Sequence, residues 1–474
     1  MRTKVPENLA SYLPKPVWQI FKRFTQNGYQ IYLVGGGVKN LLSNKTAVNC
    51  DFTTNATPEK IQALFPDSFY DNVFGTVGLI IKTAKGEEKY EITTYRSEWG
   101  YSDRRRPDQI KWGKKLEEDL KRRDFTFDAM VIGPNQIDDW DGKSLILIDI
   151  FNGVKDFEKK LVKAVGDPSQ RFAEDALRMM RAIRFASQLG FTIEQRTFKA
   201  IVKNAQLLTK ISAERIKEEL FKILASLHPA DGIQILRNAG LLKIILPELE
   251  KMFGVQQKSP GRHHLDDVGT HALKSLKVSD TQDPLVNLAI LLHDVGKPLA
   301  AGKDKKGTIT FYNHEVIGAS IARNIGRRLK LSKKEQERLF TLVRWHQFSV
   351  DERQTDKAIR RFIKNVGQEN ILDILELRRA DRLGGGAKET SWRLEKFKQK
   401  LISVQKQPFS IQDLKINGHQ IMKILKITPG PLVGRILEQL FEEVVENKIV
   451  NQQEILKKRV SQIGKNLSAQ PAKT

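Results

Sequence analysis

The chain has 474 residues, enough for roughly two to four domains that each bury a core. Lysine and arginine number 80 against 56 acidic residues, a formal net charge of +24 that suits a polyanionic partner, nucleic acid foremost. Cys50 is the single cysteine, which excludes an internal disulfide and fits a reducing compartment. No apolar run approaches the ~20 residues that span a bilayer, and the first residues lack a secretory apolar segment, so a soluble, cytoplasmic protein is expected.

In chain order, Val17, Ile20, Phe21 and Phe24 recur at helical spacing in a lead-in helix expected over 5–26. The stretch 31–54, IYLVGGGVKNLLSNKTAVNCDFTT, is the organising element of the N-terminal part. Ile31–Val34 reads as a buried strand, Gly35, Gly36 and Gly37 as a turn, and 38–43 as the start of a helix. Three glycines at a strand-to-helix turn remove every side chain, so backbone N–H groups can approach an anion at the helix's positive end. A second strand is expected from about Val48. It would put Asn49 and Asp51 on one face and Cys50, as a small buried residue, on the other.

A short helix is expected over 57–65, with Thr57 as cap and Pro58 at its start. Strands are expected next over 77–83 and 90–96, joined by a turn at 85–88. In the second, Glu91 faces away from Tyr90 and Ile92. With Asp51 it could give oxygen ligands to Mg²⁺, which favours carboxylates and substrate phosphate; the plain alternative is a solvated charge on an edge strand. Residues 101–113 read as an arginine-rich loop and 145–150 as a last strand. Strands and helices thus mix over 1–150, whereas 157–452 is almost all amphipathic helix and 457–474 reads as a frayed tail. The fold class is α+β.

The stretch 31–54 resembles the nucleotidyltransferase head of the CCA-adding enzymes and bacterial poly(A) polymerases, whose pattern is roughly LVGGxVRDxLL, a spacer, then DxDxxT. Here Lys39-Asn40 replaces Arg-Asp and Asn49 replaces the first Asp. Arg122, Arg123 and Asp124 match RRDFTxNA, with Asp128 in place of Asn, and 171–186, RFAEDALRMMRAIRFA, matches RF-x-EDxxRxxRAxRFA. The stretch LKINGHQIMKILKITPGPLVGRIL resembles a tail motif of the group, with Gln420 where Asp is usual. The resemblance runs from about Tyr32 to about Asn451 and implies template-independent addition of C, C and A to the tRNA 3′ end from CTP and ATP. It implies catalysis by Asp51, Asn49 and Glu91 with Mg²⁺. Nucleotide contacts would come from Gly35, Gly36, Lys39, Arg122, Arg123 and Asp124, with Glu174, Asp175, Arg178 and Arg181 on the base-reading helix. Forked guanidinium groups suit phosphate oxygens, and a carboxylate suits ribose hydroxyls. The 101–113 loop, shortened in relatives that add only two cytidines, is intact here.

A second constellation lies further on. His271 sits on one helix, and His293-Asp294 closes another, LVNLAILLHDVGKP, which Gly296 and Pro298 stop. His314, His346 and Asp381 come after it in order. The ordered set His271, His293, Asp294 and Asp381 resembles the metal centre of HD-type phosphohydrolases, and such ligands suit Mn²⁺ or Ni²⁺. His314 and His346 could hold a second ion or a phosphate. The expected parts are a nucleotidyltransferase palm over 1–150, a helical neck and body over 151–255, an HD-type domain over 256–395 and a tRNA-binding tail over 396–474. Two alternatives stay open. One is a poly(A) polymerase. The other is a nucleotide- or RNA-binding protein whose head is impaired at Asn49 and whose HD site is an active phosphohydrolase.

Overall fold

Ile31–Val34, apolar at every position, is buried along its whole length at the centre of the N-terminal sheet. The computed structural model describes the chain except residues 49, 71–74, 84–85, 100–108, 114, 138–139, 258–265, 349–354, 406–410, 446–447 and 469–474. In chain order the strands are β1 (Arg2–Lys4), β2 (Ile31–Val34), β3 (Asp51–Thr54), β4 (Phe69–Tyr70), β5 (Thr76–Thr83) and β6 (Gly86–Thr94). They continue with β7 (Arg96–Trp99), β8 (Gln109–Trp112), β9 (Met130–Pro134) and β10 (Leu145–Asp149). Eight form one sheet in the order β1-β10-β9-β2-β3-β6-β5-β4, while β7 and β8 make a separate antiparallel pair. Within the sheet β3 and β6 run parallel, and their register sets Asp51 beside Glu91 and Phe52 beside Ile92.

The period-2 reading of β6 holds: Tyr90 and Ile92 are buried and Glu91 is exposed. The buried face packs on the helix Lys15–Thr25, whose Ile20, Phe21 and Phe24 are fully enclosed, with the Phe21 and Phe52 rings 5.8 Å apart. The single lead-in helix expected over 5–26 is instead two, Glu7–Ala10 and Lys15–Thr25. Pro14 and Pro16 account for the break, since proline lacks a backbone donor but suits a helix start. β1 carries no apolar signal; all three residues are exposed, and it is held only by pairing with β10. β3 starts at Asp51 rather than near Val48, which is 58% exposed, and Asn49 lies outside the described residues. Of the turn expected at 85–88 only residue 85 lies outside the described residues, and Gly86, Glu87 and Glu88 already belong to β6, paired with β5. The loop expected at 101–113 lies largely outside them, although Gln109–Trp112 is a strand.

Past Asp149 the described chain is helical apart from paired two-residue strands. One apolar core runs from Val5 to Val404, and a second joins Leu414, Ile421, Ile436, Leu440, Leu456 and Val460. The tail expected to fray is mostly the helix Gln453–Ser468, because Leu456, Val460 and Ile463 fall on one face and enter that second core. Gln420, where the motif departs from Asp, closes a capping box with Asn417 at the start of Gly418–Leu425. Among the described residues, no helix is long and apolar enough to cross a membrane.

Candidate functional site

The glycine turn leads from β2 into the helix Gly36–Leu42. Gly35 sits at φ 63°, where a side chain is disfavoured, and a Cβ on Gly35 or Gly36 would meet open space. Gly37 differs, because its Cβ would lie 2.8 Å from Leu33 Cδ1. Two glycines therefore keep the turn accessible, and the third lets the helix close on β2. Asp51 opens β3 opposite Val34, the last residue before this turn, and is paired in register with Glu91 on its other side. Desolvation, reinforced by the negative charge of Glu91, pushes the Asp51 carboxyl up to about 6 against the pull of Arg123 and Lys39. Two carboxylates set side by side in this way form a donor set whose repulsion a divalent cation relieves. Cys50, the residue before Asp51, is buried, and burial pushes its thiol up to about 12.

Lys39 does not stand alone. Its Nζ lies 2.5 Å from Asp128 Oδ1 and 4.4 Å above the Phe185 ring of the helix Leu177–Leu189. Two of the departures from the family pattern, Lys39 and Asp128, are thus partners in one ion pair.

Arg122 and Arg123 come directly after the helix Leu116–Lys121 and turn back onto Asp119, at 2.7 and 3.3 Å. Asp119 is fully buried and also accepts from Thr53 Oγ1 of β3 at 3.2 Å. Burial pushes its carboxyl up, but Arg122 and Arg123 overcome this and hold it below the usual range. Sequence reasoning misses Asp119. Its only signal is an acid on the apolar face of LEEDL, two residues from Glu117 and beside Leu120.

The base-reading segment is not one helix. Pro168–Glu174 ends at Asp175, which is extended (φ −141°, ψ 107°), and Leu177–Leu189 begins two residues on. Asp175 accepts from the Leu177 amide at 3.0 Å and pairs with Arg215 at 2.7 Å. Arg178, 7% exposed, bonds Glu174 at 2.6 Å and Asp124 at 2.8 Å, and Arg181 reaches Asp124 at 2.6 Å. Burial again opposes, but Arg181 and Arg178 hold the Asp124 carboxyl low. Asp124 is therefore tied to the helix arginines.

The second constellation also assembles. His271, His293 and Asp381 form one group and Asp294, His314 and His346 another, with the potential ligand atoms in each within 4.8 Å of one another. His293, His314 and His346 each fix Nδ1 on the carbonyl three residues earlier, at 2.7, 2.8 and 2.7 Å, which turns Nε2 inward. His293 Nε2 lies 3.2 Å from Asp294 and 3.6 Å from Asp381 without hydrogen-bond alignment. Burial lowers the His293 pKa, yet Asp294 and Asp381 outweigh it and set it at about 9. His346, buried beside His293, falls to about 3. Such donors, buried and pre-aimed, fit divalent transition metals.

A model of the poly A polymerase head domain matches residues 31–163. Models for an RNA- and SrmB-binding site of polymerase A and for tRNA nucleotidyltransferase domain 2 match 190–253 and 310–460. The CCA-adding enzyme of Ligilactobacillus salivarius is 31% identical over 457 residues, covering 95% of this chain and 96% of that protein. That of Limosilactobacillus reuteri is 32% identical over 453 residues, 95% and 97%. That of Lactobacillus helveticus is 42% identical over 239 residues, and this match spans only 55% of its length. The solved Bacillus stearothermophilus CCA-adding enzyme in complex with CTP superposes with a TM-score of 0.65 at 26% identity, covering 95% of this chain and 98% of that one. The Thermotoga maritima CCA-adding enzyme complexed with tRNA shares the fold, with a TM-score of 0.60 at 18% identity and coverage of 98% and 99%.

Proposed function

The chain belongs to the family of CCA-adding enzymes, and from that membership we propose that it adds CMP, CMP and AMP to the 3′ end of tRNA, using CTP and ATP and no nucleic-acid template. The observation that carries this reading is the Asp51–Glu91 register beside the open Gly35–Gly36 turn, on the strand whose Thr53 bonds Asp119, the acid that holds Arg122 and Arg123. A terminal tRNA hydroxyl attacks the α-phosphorus, the bond to the bridging oxygen breaks, and pyrophosphate leaves.

In this reading Asp51 and Glu91, with residue 49, hold the divalent metal of the head, Mg²⁺ by family. When bound, it lowers the charge barrier at the attacking and leaving oxygens. The backbone of Gly35 and Gly36 and the cations Lys39, Arg122 and Arg123 bind the triphosphate. Asp175 and Arg178 present an acceptor and a forked donor to the base edge. Glu174 and Asp124 orient Arg178, Arg181 holds Asp124, and Arg215 orients Asp175. The basic helical body holds tRNA through phosphates and shape, which goes with a cytoplasmic site of action. We keep the division into a palm over 1–150, a neck and body over 151–255, an HD-type unit over 256–395 and a tail over 396–474.

The deciding experiment is single-turnover incorporation of labelled CTP and ATP into tRNA lacking its CCA end. Addition that stops at three nucleotides supports the reading. A long adenylate product would make the chain a poly(A) polymerase instead.

A second reading concerns the helical part. The inward Nε2 atoms of His293, His314 and His346 favour a divalent transition-metal centre, Mn²⁺ or Ni²⁺, held by His271, His293, Asp294 and Asp381, with His314 and His346 completing a second position. A phosphohydrolase side activity is the corresponding function. Metal analysis of the purified chain beside Asp294→Asn tests it; equal metal content in both would count against the centre.

A further inference from the structure

Phe185 is a single ring on which the two halves of the nucleotide site meet. It lies on the helix Leu177–Leu189, on the same side as Arg178 and Arg181, and is 7% exposed. Lys39 Nζ, from the helix that follows the glycine turn, lies 4.4 Å from the ring centre, and Arg184 Cζ lies 4.1 Å from it. Phe125 and Phe127, just past the Arg122-Arg123-Asp124 run, meet the ring edge to face, with centroids at 5.6 and 5.3 Å. Three segments thus close on one side chain. One carries the phosphate turn, one the arginines and one the base-reading pair.

The contact needs an aromatic face and not bulk alone. Each cation is held on one side by an acid, Lys39 by Asp128 and Arg184 by Glu219 at 2.7 Å. Glu219 is itself 4% exposed, on the helix Ala213–Leu224. The negative face of the ring supplies the second hold. A leucine would fill much of the volume and attract neither cation. The other close tie between Leu177–Leu189 and the arginine run is the Asp124 carboxylate, shared by Arg178 and Arg181, and it engages the base reader itself. Phe185 joins the helix to the glycine turn without occupying any base-reading group.

The spacing across this joint matters for base choice. Cytosine and adenine both offer an amino donor beside a ring-nitrogen acceptor, which suits Asp175 and Arg178. Uracil and guanine offer the reverse. Rejection works only when the triphosphate end is fixed, so that a wrong base has no room to shift toward a partial fit.

We propose that Phe185 is a positioning residue that sets the distance between the glycine turn and the base-reading pair, and through it the preference for CTP and ATP over UTP and GTP. The proposal rests on the CCA-adding reading of the chain.

The test compares the wild-type chain with Phe185→Leu and with a chain carrying trifluorophenylalanine at position 185. The fluorinated ring keeps the shape and loses the negative face. Calorimetric titration with CTP and UTP and single-turnover incorporation into tRNA lacking its CCA end are the readouts. In both altered chains the ratio of CTP to UTP in affinity and in kcat/KM should fall, by about tenfold in Phe185→Leu, with a smaller change in maximal rate. The fluorinated chain should keep the wild-type melting temperature. A CTP to UTP ratio unchanged in both, whatever the melting temperature of Phe185→Leu, would overturn the positioning role and leave the CCA-adding reading intact. A wild-type chain that neither prefers CTP to UTP in titration nor adds nucleotides to tRNA would overturn both.

Discussion

Lys39 Nζ and Asp128 Oδ1 lie 2.5 Å apart across 89 positions of sequence, joining the first turn after the glycines to the segment that precedes β9. Both side chains are nearly enclosed, 13% and 12% exposed, and Lys39 is backed by the Phe185 and Phe127 rings. The family pattern has Arg and Asn at these positions, so charge has moved from a larger cation with a neutral partner to a smaller cation with an acid. A buried pair broken on one side leaves an uncompensated charge, at a cost of about 3–5 kcal/mol. Asp128→Asn and Lys39→Met should each lower stability by an amount in that range. Lys39→Met combined with Asp128→Asn should cost less than the sum of the two single losses, by a coupling of about 1–3 kcal/mol in denaturant unfolding. Additive losses would show that the two residues act separately.

Asp119 contributes through a different balance. Arg122 and Arg123 hold its carboxyl below the usual range despite full burial. A depressed folded pKa adds stability that is present above the unfolded value of about 3.9 and is lost as pH falls through the folded value. The chain should therefore lose stability below about pH 4, and Asp119→Asn should flatten that acid limb while destabilising the protein at about pH 7. Urea midpoints measured near neutrality and in the acid range check both. Because Asp119 aligns the two arginines, the variant should also raise the KM for CTP and ATP more than it lowers kcat. A pure kcat effect would argue against a positioning role.

What could be read from sequence depended on the range of the interaction. The alternation of Tyr90, Glu91 and Ile92 is local, so the face of Glu91 was legible. Its register with Asp51 was not, because parallel pairing of β3 with β6 brings together residues with two other strands between them in sequence. The break at Asp175 was hidden, since the helical spacing of charged and apolar residues continues through it on both sides. The His-Asp cluster was legible from residue type and order. Gln257 and Lys297 were not, since only the fold shows that two long polar side chains are buried against each other. The strand Arg2–Lys4 carries no apolar residue, so only its partner β10 makes it a strand.

The carboxylates of the head give a prediction in opposite directions. Asp51 and Glu91 stand in register, and an amide at position 49 cannot carry the charge that a metal-bridging acid would. Asn49→Asp is expected to raise the single-turnover rate of CTP incorporation by about 10²-fold, the scale on which one preorganised electrostatic group acts. Asp51→Asn should lower it by at least as much. An unchanged rate for Asn49→Asp would mean that residue 49 does not face the reacting phosphate.

Removal of metal should be felt as stability in the helical part. The six side chains proposed as ligands converge from five separate segments between His271 and Asp381, so an ion bound there would tie those segments together in the folded state alone. Binding to the folded form adds RT ln(1 + [L]/Kd), about 2.7 kcal/mol at a hundredfold excess over Kd. Chelation should therefore lower the melting temperature, and Mn²⁺ or Ni²⁺ added back should restore it in a concentration-dependent way. Asp294→Asn should remove most of this response, because Asp294 lies within reach of His293, His314 and Lys297 together. Mg²⁺ should restore less than Mn²⁺, since an imidazole-rich site favours the transition metal over the ion of the carboxylate pair in the head. Equal rescue by Mg²⁺ in the wild-type chain and in Asp294→Asn would place the stabilising ion at Asp51 and Glu91 and leave the histidine cluster without one.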